Sequence, residues 1–265
     1  MALDFSLHTY RLLLESLQNA GYTFITFEKW CEGGANDRFV VLRHDVDLKA
    51  ERSLKVALIE AEMGIAASYY FRVVPQSNQP KIIKAIAALG HEIGYHYEDL
   101  SLFDGNVDKA IIHFKTQLSH FRQFYPVKTI CMHGSPTSKF DNRDLWKHAN
   151  YREFGLIGEP YLDFLSSSAV SKGEIVYFTD TARMWNGDKF NVRDKSVIRL
   201  ESLQDNSKAC IHSTFDLITY IENKDAHNGM MITTHPQRWT DNLAAWFGEF
   251  VLQNIKNQIK LHFFT

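Results

Sequence analysis

Two carboxylates close an apolar run in Phe39-Val40-Val41-Leu42-Arg43-His44-Asp45-Val46-Asp47. Alternate residues of a strand share a face, so Asp45 and Asp47 leave the strand end on one side. Paired carboxylates are costly unless a cation, a proton or water compensates them, which points to a metal-assisted acid/base site. The competing reading is a solvated turn, since Asp is a common turn former. Farther along, His96 (followed by Glu98 and Asp99), His133 in Cys-Met-His-Gly-Ser-Pro and His235 in Thr-Thr-His-Pro each stand at the end of an expected strand. Any one of the twelve histidines is more simply a surface or hydrogen-bonded core residue. Three of them at strand ends, with two aspartates at a fourth, are not a chance pattern.

The elements that must position these residues alternate. Residues 4–20 read as an amphipathic helix stopped by Gly21, and 38–44 as a strand. A helix at 49–63 ends at Gly64, and Ile65–Val74 reads as a buried strand. Helices near 79–89 and 106–124 separate strands at 91–96 and 128–133. A short helix at 142–149 follows, then possible strands at Phe154–Ile157 and Ile175–Thr179. A helix at 214–225, a strand at Met230–Thr234 and a terminal helix near 240–258 complete the order. Such alternation implies parallel strands with crossover helices, and about seven strands suit a distorted (β/α) barrel, an open doubly wound sheet being the rival. Residues 158–213 read as long strand-end loops. No linker divides the chain, so 1–265 is read as a single domain with helix 4–20 packed outside the barrel.

With 265 residues, 45% of them hydrophobic, the chain can build a substantial core. The net charge of −2, from 29 basic and 31 acidic residues, offers no field for nucleic acid and no membrane-surface patch, leaving a small or neutral molecule as the partner. Cys31, Cys131 and Cys210 are odd in number and widely spaced, against both a disulfide framework and a thiolate zinc site. The start of the sequence shows neither a secretory signal nor a spanning helix, from which a cytoplasmic protein is expected.

From residue 38 to 236 the chain resembles the polysaccharide deacetylases, the NodB-homology group or carbohydrate esterase family four. The carrying residues are Arg-His-Asp-Val-Asp at 43–47 and Gly-His-Glu-Ile-Gly-Tyr-His at 90–96, with Thr-Thr-His at 233–235. The resemblance implies a deacetylase barrel in which Asp45 is the catalytic base, Asp47 and His96 are metal ligands and His235 is the general acid. It also implies a divalent ion, zinc first, with cobalt, nickel or iron as alternatives. An ion bound by a carboxylate and imidazole brings the pKa of bound water to roughly 7.

The pattern departs at Leu100, where the family's second motif has another histidine. Three replacements for that ligand are weighed: His133, which also ends a strand and is preferred, Glu98, and water. His44 and His91 alternate to the opposite side of their strands and are read as core or supporting residues. Asp180 and Trp185, in Thr-Asp-Thr-Ala-Arg-Met-Trp, loosely resemble the family's fourth motif, in which an acidic residue orients a catalytic partner and an aromatic lines the cleft; with nearby Arg183 they are taken as substrate-binding residues. Arg183 and Arg193 are candidates to pair with a substrate anion or with Asp45. Trp146, Tyr161 and Trp239 stand between core and sugar platform.

The leading expectation is a metal-dependent deacetylase of an N- or O-acetylated sugar, with a precursor of surface polysaccharide of the O-antigen type as substrate. The first alternative is a non-catalytic relative that binds a glycan or protein partner. The second is a metal-dependent hydrolase of another small amide, such as a formyl group.

Overall fold

The computed structural model describes residues 3–171, 174–185, 187–190, 211–223 and 226–263; Arg193 and Cys210 lie outside the described residues. Ser6 opens the first helix, α1 (Leu7–Asn19), by accepting a hydrogen bond from the Thr9 amide. The elements that follow are β1 (Thr23–Ile25), α2 (Phe27–Cys31), β2 (Phe39–Val46), α3 (Ala50–Glu62), β3 (Ser68–Phe71), α4 (Pro80–Ala88) and β4 (Glu92–Tyr97). Then come α5 (Asp99–Leu102), α6 (Val107–Phe121), β5 (Ile130–Met132), α7 (Ser168–Ser171), β6 (Ile175–Thr179), α8 (Thr214–Glu222), β7 (Gly229–Thr234) and α9 (Leu243–Phe263).

The seven strands form one parallel sheet in the order β5-β4-β3-β2-β7-β6, with β1 paired to the first half of β2. This is the expected α/β architecture of about seven parallel strands. Beyond β5 a single bridge joins Thr129 to Gly158. Among the described residues no pairing links that edge to β6, so the sheet forms a half-barrel. β2, β3, β4 and β7 are buried along their whole length, as parallel strands covered on both faces must be.

Register fixes which strand ends meet. Asp45 pairs with Tyr70, Tyr70 with Gly94, and His96 with Cys131. A Cβ on Gly94 would fall 2.3 Å from the Tyr70 ring, so glycine there lets β4 close on β3 and brings His96 toward Asp45. On the other face, buried Glu60 of α3 accepts hydrogen bonds from Tyr10 (2.5 Å) and Tyr69 (2.5 Å) and lies 2.8 Å from His44 Nε2. His44 Nδ1 lies 2.7 Å from Thr234 Oγ1, and His91 Nε2 donates to the Ala57 carbonyl at 3.0 Å. These contacts tie the helical layer to the central strands.

Several local expectations change. The strand expected over Ile65–Val74 is confined to Ser68–Phe71, and Asn142–Lys147 is a 3-10 turn. The strand expected at Phe154–Ile157 is displaced because Asn150 caps a 3-10 turn at Tyr151–Phe154, and Gly155, with φ of 71°, ends it in the left-handed region. β1 and α2 are additional elements. α1 packs against α8 and α3.

Candidate metal centre and proton-transfer site

At the C-terminal ends of the strands the side chains gather around Asp47, one residue past β2. Gln237 Nε2 donates to Asp47 Oδ2 at 3.2 Å. Asp47 Oδ1 is buried and, among the described residues, has no hydrogen-bond partner. His96 Nε2 lies 3.5 Å from it and His133 Nε2 3.6 Å from it. The far sides of both rings are anchored. His96 Nδ1 lies 2.9 Å from the Cys131 carbonyl, and a carbonyl only accepts, so that nitrogen carries the proton. His133 Nδ1 lies 3.0 Å from Glu98 Oε2, and Glu98 is itself gripped by Arg72 through two bonds of 2.9 and 2.8 Å.

With Nδ1 so occupied, each ring in its neutral form turns a lone pair at Nε2 toward an anionic oxygen, which only a proton or a cation between them relieves. That arrangement calls for positive charge between them. Burial favours neutral His96, but Asp45 and then Asp47 outweigh it and raise its pKa. Burial likewise opposes ionisation of Asp47, yet His96, His133 and His235 together hold its pKa well below the usual carboxylate range. Burial lowers the His133 pKa and keeps that ring neutral, against the pull of Glu98 and Asp47. A tetrahedral ion with bonds of about 2.0–2.2 Å spaces its ligand atoms at roughly 3.4 Å; both contacts to Asp47 Oδ1 fit that edge, while the two imidazoles, with ring centres 5.2 Å apart, stand wider and would have to close on an ion.

A second grouping, Asp45, His96 and Cys131, brings three ligand-type atoms within 4.8 Å of one another. It is the poorer ion site, because Arg43 already occupies both Asp45 oxygens, through Nε at 3.0 Å and a terminal nitrogen at 2.8 Å. The guanidinium in turn donates to Tyr161 Oη at 2.8 Å. Burial alone would raise the Asp45 pKa; Arg43, followed by His96, reverses this and keeps the carboxylate ionised. Asp45 Oδ2 stands 3.8 Å from His96 Nε2, beside the position an ion would take.

His235 approaches from β7, its Nε2 3.8 Å from Asp47 Oδ2. Its Nδ1 is 2.6 Å from Asp180 Oδ1, and its backbone amide donates to the same carboxylate. Asp180 is fully buried and also accepts from Arg238 (2.8 Å) and Trp239 Nε1 (2.9 Å). Burial opposes its ionisation, but Arg238 and His235 hold its pKa low. Asp180 thus orients His235 from beneath, the part an acidic residue plays in the motif it resembles, and does not face the substrate space, which corrects its reading as a substrate-binding residue.

Two further expectations are corrected. Ala182 and Arg183 both adopt left-handed backbone, with φ of 68° and 60°, and this turn carries Arg183 under α9. There its guanidinium sits 4.5 Å from the Trp246 ring centre and 5.1 Å from that of Phe5, away from the cleft and from Asp45. Trp185 is buried against Trp239 and donates from Nε1 to Thr214 Oγ1, which leaves its ring no face for a ligand. Trp239 and Trp146 are likewise packed into the aromatic interior. Leu100 turns into a small apolar cluster with Ala110 and Leu145.

The cleft above these groups has a volume of about 360 Å³. Asp45, Asp47, His96, His133 and His235 all reach it, Tyr161 and Met132 form one wall, and Gln253, Lys256 and Ile259 of α9 form another. Arg43, Gln237 and Arg238 were missed from the sequence. Arg43 was accessible to the same period-two argument that paired Asp45 with Asp47. Gln237 and Arg238 follow His235 directly, but nothing in their spacing marks them.

The sequence matches no protein-family model, and no curated protein is significantly similar to it. Its structural neighbours include family 4 carbohydrate esterases and a pseudoenzyme of that family. A CE4 esterase from Streptococcus mutans superposes with a TM-score of 0.45 at 13% identity, over 94% of this chain and 92% of that one. A family 4 carbohydrate esterase from Bacillus anthracis gives 0.42 at 14% identity, over 95% and 88%. A CE4 family pseudoenzyme from Bacillus anthracis gives 0.40 at 12% identity; 86% of this chain is covered, but only 66% of the other, just under two thirds. Neither activity nor residue roles follow from similarities this distant.

Proposed function

We propose that this protein is a divalent-metal-dependent hydrolase that removes an acetyl group from an N- or O-acetylated sugar. The observation that carries the reading is Asp47 Oδ1, buried and, among the described residues, without a donor, between two imidazole nitrogens whose opposite ring positions are fixed by hydrogen bonds. Asp47, His96 and His133 would hold the ion, the two rings turning inward to share it. A bound ion would supply a Lewis acid for the acyl carbonyl and an acidified water. Zinc suits the two-nitrogen, one-oxygen donor set, and cobalt, nickel or iron fit it as well.

The remaining steps belong to the chain. Asp45, held ionised and oriented by Arg43, accepts the proton of the attacking water. His235 donates from Nε2 to the departing nitrogen or oxygen, while Asp180 at Nδ1 fixes the ring and stabilises its cationic form. The cleft volume fits one sugar unit with its acyl arm. A cytoplasmic precursor of O-antigen-type surface polysaccharide is the context we propose.

The test is release of acetate from N- and O-acetylated sugars by metal-loaded protein, with formate release from N-formylated analogues alongside. Acetate release that stops with chelator and returns with zinc supports the reading. Formate alone redirects it to deformylation, and glycan binding without turnover to the binding-protein alternative.

A further inference from the structure

The helix α9 is amphipathic in the inverse sense. Glu249, Gln253 and Asn257 face inward and are buried, and Gln253 donates to Asn257, which donates to the Ala182 carbonyl. The outward side carries Leu243, Phe247, Val251, Ile255 and Ile259 at every fourth position, with exposures from 39% for Val251 to 72% for Leu243. Phe250 and Leu252 flank that stripe, also exposed. At roughly 150–250 Å² for a full side chain of this size, the exposed parts of these residues amount to about 700 Å² of apolar surface. The largest apolar patch of a typical monomer is about 300–600 Å², whereas a standard interface buries about 800 Å² per partner.

We propose that this face of α9 is the contact between two copies of the chain. Area and charge both support a second copy. A two-fold contact buries the same patch twice, which brings the total into the range of a stable dimer, roughly 1,200–2,000 Å². Among the outward-facing residues from Leu243 to Ile259 the single charge is Lys256, matching the charge depletion of interface centres. A helix lying in a lipid surface carries basic residues along its polar flank, whereas the lysines of α9, Lys256 and Lys260, are confined to its C-terminal part and the polar side before them is Glu249 and Gln253. The midpoint of the stripe is Val251, so an antiparallel crossing on a two-fold axis there sets Leu243 of one copy opposite Ile259 of the other. Because Ile259 also lines the cleft, the second copy borders the mouth of the site.

The experiment is sedimentation velocity on the full chain, wild type against the double variant Phe247→Glu, Val251→Glu. Its fold is checked by circular dichroism, and phosphatidylglycerol vesicle flotation runs in parallel. A wild type at twice the chain mass and a folded double variant at half of that support the proposal. A Val251→Cys chain gives a second readout that does not depend on the charged variant folding: it forms an oxidative cross-linked dimer that the wild type does not. A monomeric wild type overturns the proposal, as does a dimer unaffected by both glutamates. So does a monomer that floats with the vesicles, which would assign the face to lipid.

Discussion

Asp47 Oδ1 lies 3.5 Å from His96 Nε2, and the other ring nitrogen is already committed as a donor to the Cys131 carbonyl, so that Nε2 is the atom left to meet a proton or a cation. The same holds for His133, whose Nδ1 faces Glu98. Two anchored rings around one undonated carboxylate oxygen form a pocket for positive charge. The function proposed for the protein follows from that relationship.

Removing the support of a ligand differs from removing the ligand. His133→Ala should weaken zinc binding by more than 100-fold, whereas Glu98→Gln, which leaves the ring but loosens its tautomer and orientation, should cost about 10–100-fold. Competition with a chromophoric chelator reads both. Equal losses would make Glu98 a ligand in its own right.

Asp45→Asn should leave zinc stoichiometry unchanged and lower kcat by at least about 100-fold, as loss of a general base does. Metal content and acetate release on one preparation decide this. Undiminished turnover would remove Asp45 from the proton-accepting role.

Asp180→Asn strips the charge partner from buried Arg238 and His235. Breaking a buried pair in this way should cost about 3–5 kcal/mol in urea unfolding, together with a fall in kcat. His235→Asn, which keeps the Asp180–Arg238 pair, should lose kcat at a smaller cost in stability. A kcat retained in His235→Asn would contradict its assignment as general acid.

Glu98 also sets a pH dependence of stability. Burial alone would raise its pKa, but His133 and Arg72 bring it from 4.5 down to about 2. A depressed carboxylate contributes stability that is fully present above the unfolded value of 4.5 and lost as pH falls through about 2. The shift corresponds to about 3 kcal/mol. In chelator-treated protein the stability difference between wild type and Glu98→Gln should therefore hold steady above pH 4.5 and shrink below it. A difference independent of pH over that window would show that Glu98 is not held ionised.

Much of this arrangement is legible in the sequence because it rests on strand periodicity. Asp45 and Asp47 share a face, His96 stands at the end of β4, and His133 and His235 each follow a run that becomes a parallel strand. What could not be read depends on packing between distant segments. Trp185 lies in a polar stretch and looks like a loop aromatic, yet Trp239 and Thr214 bury it. Arg183 is turned away by two left-handed residues that no local pattern announces. β1, with three residues, is too short for alternation to register. The inverted face of α9 is invisible in its composition, since only the contacts of Gln253 and Asn257 show which side is inside.

The most direct test of the central claim is metal titration of the chelator-stripped chain, with Asp47→Ala, His96→Ala, His133→Ala and Cys131→Ser alongside. One divalent ion per chain is expected in the wild type and in Cys131→Ser, with strong loss of affinity in each of the other three. A wild type that binds no ion, or full binding by the Asp47 and His133 variants with loss in Cys131→Ser, would contradict it.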